Sequence, residues 1–154
     1  MDNHFVILIM NYINECCYND NVIELKNILT REYINIHVYE MYYFRLACWK
    51  GSIKIVKYLI DISEQYMGKK INIHADNDDA FRCAVGSGKL NIIKYLLKLS
   101  NKYSIRCIDL YKLNNIYYDY ACYYKHHSII LLLISIGSYN NMNIHKNNKY
   151  KIIL

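Results

Sequence analysis

The sequence predicts an all-α solenoid of stacked helix-turn-helix repeats with finger loops between the copies. Two observations carry that expectation: a block of about 30 residues recurs at a fixed offset, and apolar residues within each block recur at helical spacing on both sides of a central glycine. A third sets the scale. The 154 residues are 54% hydrophobic and 21% charged, enough apolar surface to offset the ordering entropy of a folded chain, and the length suits one array without a second domain.

The repeat is plainest in its two central copies. Ile34 to Ser63 reads INIHVYEMYYFRLACWKGSIKIVKYLIDIS and Ile71 to Ser100 reads INIHADNDDAFRCAVGSGKLNIIKYLLKLS, identical at 13 of 30 positions at an offset of 37. Adding 37 again reaches Ile108, Asp109 and Leu110, then Tyr118, Ala121, Ile129 and Ile130, a worn further copy. Backwards, an offset of 31 sets Asp20 on Gly51, and Val22, Leu25, Ile28 and Leu29 on Ile53, Val56, Leu59 and Ile60. Beyond Ser138, Asn143, Ile144 and His145 repeat the opening once more before the chain stops. The array therefore reads as one domain over 1–154, with copies at 5–33, 34–70, 71–107 and 108–140 and an incomplete stub at 143–154.

Each copy predicts two short helices. In the second, Phe44, Ala47 and Cys48 mark one face of the first helix, and Ile53, Val56, Tyr58, Leu59 and Ile60 load the second. Gly51 and Gly88 stand at the break, where a positive φ ends the first helix and reverses the chain. Ala47, Ala84 and Ala121 let neighbouring helices approach closely, so a bulky side chain there overpacks the interface. One such pair cannot cover its own apolar stripe, so stability has to come from stacking copy on copy. Glu64 to Asp78 and Asn101 to Asn114 are polar stretches suited to extended fingers.

These residues resemble ankyrin repeats, in particular the divergent isoleucine- and asparagine-rich ankyrin proteins of giant DNA viruses, over about Asn11 to Ser138. The run Ala47-Cys48-Trp49-Lys50-Gly51-Ser52-Ile53-Lys54-Ile55-Val56-Lys57-Tyr58-Leu59-Ile60 has counterparts of the family's alanine, glycine, leucine, paired valine and leucine-leucine positions. Ala84, Gly88, Leu90, Ile92, Ile93, Leu96 and Leu97 match in the next copy, and Gly137 takes the place of the glycine after the second helix of the fourth. The sequence departs from the family in three ways. The Thr-Pro-Leu-His opening is replaced by Tyr42-Tyr43-Phe44-Arg45 and Asp79-Ala80-Phe81-Arg82, so the usual cap is lost; Lys125 and His127 replace a glycine and a leucine; and a copy of 37 exceeds the family's roughly 33, which lengthens the fingers.

Little in the sequence speaks for other chemistry. GxSxG, GxxxxGK and HExxH are missing, which leaves no catalytic residue to name, and no cofactor motif is present. Cys16, Cys17, Cys48, Cys83, Cys107 and Cys122 form no CxxC pair and read as reduced, buried thiols of an intracellular protein. Phe5 to Met10 lacks the flanks of a signal peptide, and Ile129 to Ile134 is far short of a membrane span, so no membrane association is expected. His37, His74 and His145 occupy equivalent places, but repeat neighbours stand roughly 8–10 Å apart, too far to share a metal ion, and a loop-anchoring role fits better. His126 and His127 point apart on a helix and read as surface or cap residues. Asp76, Asp78 and Asp79 lack the glycine and closing glutamate of a calcium loop and suit the start of a helix instead.

What the resemblance implies is a module that binds a partner protein, as adaptor or scaffold, through a concave surface of first helices and finger tips. On this chain those positions are Tyr39, Tyr42, Tyr43, Trp49, Asp76, Asp78, Asp79, Arg82, Tyr117, Tyr120 and Tyr124. Tyrosine, tryptophan and arginine dominate binding hot spots, while tyrosines equally fill repeat interfaces with their hydroxyls reaching water. A viral origin makes a host protein in the host cytoplasm the natural target. Nucleic-acid binding is the alternative, because the net charge of +6 permits it, although the lysines are scattered. The apolar end at Ile152, Ile153 and Leu154 leaves self-association and truncation both open.

Overall fold

The computed structural model describes residues 3–31, 40–67, 71–103, 108 and 116–139, and every described regular element is a helix. They fall in four antiparallel-style pairs: α1 (Asn3–Asn19) with α2 (Val22–Arg31), α3 (Glu40–Lys50) with α4 (Ile53–Met67), α5 (Ala75–Gly86) with α6 (Leu90–Tyr103), and α7 (Ile116–Tyr123) with α8 (His127–Tyr139). The first helices pack in order, α1 on α3, α3 on α5 and α5 on α7, and α2 packs on α4 behind them. This is the all-α solenoid expected. The C-terminal stub and His37, His145, Tyr39 and Cys107 lie outside the described residues or their described side chains.

The core is continuous along the array. Ile13, Phe44, Ala47, Phe81, Ala84 and Ala121 from the first helices meet Leu25, Val56, Leu59, Ile92, Ile93, Leu96 and Ile129 from the second. Ala47, Ala84 and Ala121 are fully buried, so the close approach of successive first helices is bought by their lack of bulk.

Four turns solve the same problem with different residues. Asp20, Gly51, Gly88 and Lys125 all adopt positive φ, at 50°, 86°, 75° and 58°. In each, the next amide folds back on the preceding helix: Asn21 N–H on Cys16 O, Ser52 on Ala47, Lys89 on Ala84 and His126 on Ala121. Such C-terminal bonds satisfy carbonyls that the helix leaves open. Asp20 has a second task, since its carboxylate accepts the N–H groups of Lys54 and Ile55 at the start of α4. The helix of one copy is thus capped by the turn of the copy before. Ser52, which would cap α4 itself, instead donates its buried hydroxyl to the Cys17 carbonyl.

The fingers are shorter than the sequence suggests. α4 continues through Met67 and α6 through Tyr103, because Glu64–Met67 and Asn101–Tyr103 contain neither glycine nor proline to stop them. Two serines, one repeat apart, then pin the returning chain. Buried Ser63 accepts the Ile71 N–H at 2.9 Å while donating to Ile60 O, and buried Ser100 accepts the Ile108 N–H at 2.7 Å. Gly137 stands inside α8 and does not end it, since the helix runs on to Tyr139.

Asp76, Asn77 and Asp78 also differ from their expected part as a helical first turn. All three are left-handed, with φ of 52°, 60° and 62°, and the right-handed stretch of α5 begins after them at Asp79. Asparagine and aspartate are the non-glycine residues that tolerate this region best.

Candidate functional site

Helical periodicity sorts the first helices into two faces. Tyr43, Phe44, Ala47 and Cys48 of α3 point inward with Ala80, Phe81, Ala84 and Val85 of α5 and Tyr117, Tyr118 and Ala121 of α7. Tyr42 and Trp49 of α3, Arg82 of α5 and Tyr124 in the turn after α7 remain open to solvent.

Between them lies an open groove of about 640 Å³. Its walls are Trp49 on one side and Tyr120 and Tyr124 on the other, and its floor is Asp79, Arg82, Cys83 and Gly86 of α5. Gly86 keeps the floor low opposite Tyr124, whose ring lies 3.8 Å from where a Cβ would stand. Tyr124 stacks between Tyr120, centroids 6.4 Å apart, and His126, 6.0 Å away, with Tyr123 edge-on at 4.9 Å. The far wall is braced too, because the Lys50 ammonium sits 3.8 Å from the Trp49 ring and 3.5 Å from that of Tyr18.

A chain of ion pairs runs along the floor from α5 to α3. Arg45 reaches Asp76 at 2.5 Å and Asp79 at 3.5 Å, and Asp79 is also held by Arg82. That bond to Asp79 raises the Arg82 pKa, so the guanidinium stays charged. Burial first and the Asp79 carboxylate second push the Cys83 thiol up, with Arg82 and Arg45 opposing. A thiol held in its neutral form is a poor nucleophile.

Of the sequence-derived candidates, Trp49, Asp79, Arg82, Tyr120 and Tyr124 line this groove together. Tyr42 is exposed on α3 but does not line the groove, and Asp76 joins through Arg45. Three others are corrected. Tyr43 and Tyr117 are interior residues, packed edge-on against Tyr42 and Phe81, because each stands one turn before the alanine of the stacking face. Asp78 is also buried; its Oδ1 lies 2.5 Å from Nδ1 of His74, which ties the finger to the start of α5. His126 donates from Nε2 to the Gly86 carbonyl at 3.0 Å. Among the described residues no three histidine, cysteine or acidic side chains stand close enough to hold a metal ion.

Sequence reasoning missed Arg45, Cys83 and Gly86. The repeat held a signal for Arg45: it is the exact counterpart of Arg82 at the offset of 37 and one of the identities between the two copies. Cys16, Cys17 and Cys48 are buried thiols, whereas Cys83 and Cys122 are only half-buried.

A family model described as ankyrin repeats in three copies matches residues 44–149, about two thirds of the chain. The protein belongs to the ankyrin-repeat family. Neither a curated protein nor a solved structure matches it. Ankyrin repeats are protein–protein interaction modules in general, and in this ankyrin chain the groove crosses three successive first helices. No described helix is long and apolar enough to cross a membrane.

Proposed function

We propose that this ankyrin-repeat chain is an adaptor or scaffold that holds a partner protein along its row of first helices, without catalysing a reaction on it. The observation that carries the reading is the groove, where an exposed tryptophan and two tyrosines face each other across a charged floor. Aromatic and arginine side chains give large contact area with few rotamers to freeze, which is why they concentrate binding energy. The resemblance to giant-virus ankyrin proteins supports a host protein as that partner and the host cytoplasm as the place of action.

The test is affinity capture from host-cell lysate with wild type beside Trp49→Ala, Arg82→Ala and Tyr124→Ala combined, each checked for helical circular dichroism. A protein retained by wild type and lost by the folded variant supports the reading. Equal retention by both proteins moves the interface off the groove.

A further inference from the structure

The groove has a charge character beyond its shape. We propose that its occupant is an extended acidic peptide segment with an aromatic or branched aliphatic anchor; this rests on the interaction reading above. Three observations point to that chemistry.

The half-buried acid of the floor already faces a cation on each of its oxygens. Asp79 Oδ1 takes the Arg82 guanidinium and lies 3.9 Å from the Cys83 thiol, while Oδ2 faces Arg45. The Asp79 side chain is only 18% exposed. The donor capacity is not spent. Arg82 is 42% exposed, and among the described residues Asp79 alone takes hydrogen bonds from its five N–H groups. A carboxylate from a partner matches the remaining edge in paired geometry.

The charges around the groove lean the same way. Arg45 is shared between Asp76 and Asp79, Arg82 faces out, and Lys50 lies against Trp49 at the wall. Asp76 is the exposed acid in this set and is held by Arg45. On a chain of net charge +6, an acidic segment is steered inward and a basic one is repelled by Arg82 and Lys50. A nucleic-acid strand fits less well, since its regularly spaced phosphates need a row of cations, and here Asp76 and Asp79 interrupt the row. The aromatic walls supply the third observation. Trp49 and Tyr124 are about half exposed on opposite sides, a slot for one apolar side chain between flanking acids.

The experiment is selection of a random dodecapeptide display library on the immobilised full chain, followed by affinity measurement with synthetic copies of the enriched peptides. The expected result is enrichment of Asp and Glu around an aromatic or branched aliphatic residue. Binding should fall at least tenfold in Arg82→Glu and in Trp49→Ala, remain within twofold in Lys98→Glu on the exposed side of α6, and weaken with added salt. Enrichment of basic or uncharged peptides that still depend on Trp49 overturns the acidic occupant and leaves the interaction reading standing. Absence of any groove-dependent peptide overturns the linear acidic segment, and the lysate capture then decides the interaction reading separately. A twenty-residue thymidine oligonucleotide that binds more tightly than the enriched peptides, with the same Arg82 dependence, overturns the proposal in favour of nucleic acid.

Discussion

Lys125 does at its turn what Gly51 and Gly88 do at theirs, with φ of 58°. A side chain there costs about 1 kcal/mol because its Cβ crowds the following carbonyl. Lys125→Gly is therefore expected to stabilise the protein by about 1 kcal/mol, read as a higher urea midpoint. The two glycines are not equivalent. A Cβ on Gly88 would come within 2.7 Å of the His126 ring, which is fixed by its bond to Gly86 O, whereas one on Gly51 meets the flexible Lys89 chain at 2.8 Å. Gly88→Ala should cost about 3 kcal/mol, strain and overpacking together, and Gly51→Ala about 1–2 kcal/mol. Equal losses in parallel denaturation curves would show that the ring yields as readily as the lysine.

At the level of the helix, the joints between copies rest on polar side chains that bond beyond their own helix. Asp20 caps α4 across 34 residues, and Ser63 and Ser100 each fasten the amide eight residues on. Removing either serine leaves a buried N–H donor without a partner, and removing Asp20 frees two N–H groups at the more exposed start of α4. Ser100→Ala is expected to cost about 1–2 kcal/mol and to speed hydrogen exchange at the Ile108 amide before that of the α5 core. Asp20→Ala should cost about 1 kcal/mol and loosen the first turn of α4, seen as faster exchange at Lys54 and Ile55. If those amides keep their protection, water replaces the carboxylate adequately.

Across the whole array, buried thiols and phenols make stability depend on alkaline pH. Burial foremost, then Cys16 and Asp20, push the Cys17 thiol up from 9.0 to about 12. Burial raises Cys48 as well, with Cys83 and Cys17 adding to it, and Tyr118 is pushed up from 10.0 to about 12. The unfolded chain ionises these groups first, so it gains stability over the folded chain as the pH climbs past their ordinary values. Their contribution is complete below pH 9 and is lost progressively toward pH 12. The urea midpoint should hold steady from pH 7 to 8.5 and then fall, and Cys48→Ala should flatten the fall after allowing for its own packing loss. A midpoint unchanged between pH 9 and 10.5 would count against burial as the cause.

The repeat offset, the two-helix unit and the stacking alanines were legible in the sequence because each is a local pattern of apolar and small residues repeated at 37, and any array of such units must bury the same face. The resemblance places Tyr42, Tyr43, Trp49 and Tyr117 alike on the partner surface; Tyr42 and Trp49 are exposed, whereas one turn of helix carries Tyr43 and Tyr117 inward with Ala47 and Ala121. The tertiary structure alone decided the rest. That Asp20 serves the helix of the next copy, that Arg45 and Arg82 share Asp79, and that Trp49 and Tyr124 face each other across Gly86 all follow from stacking. Sequence spacing fixes which face of one helix a residue occupies. Only the packing of one copy on the next fixes which residues meet across the joint.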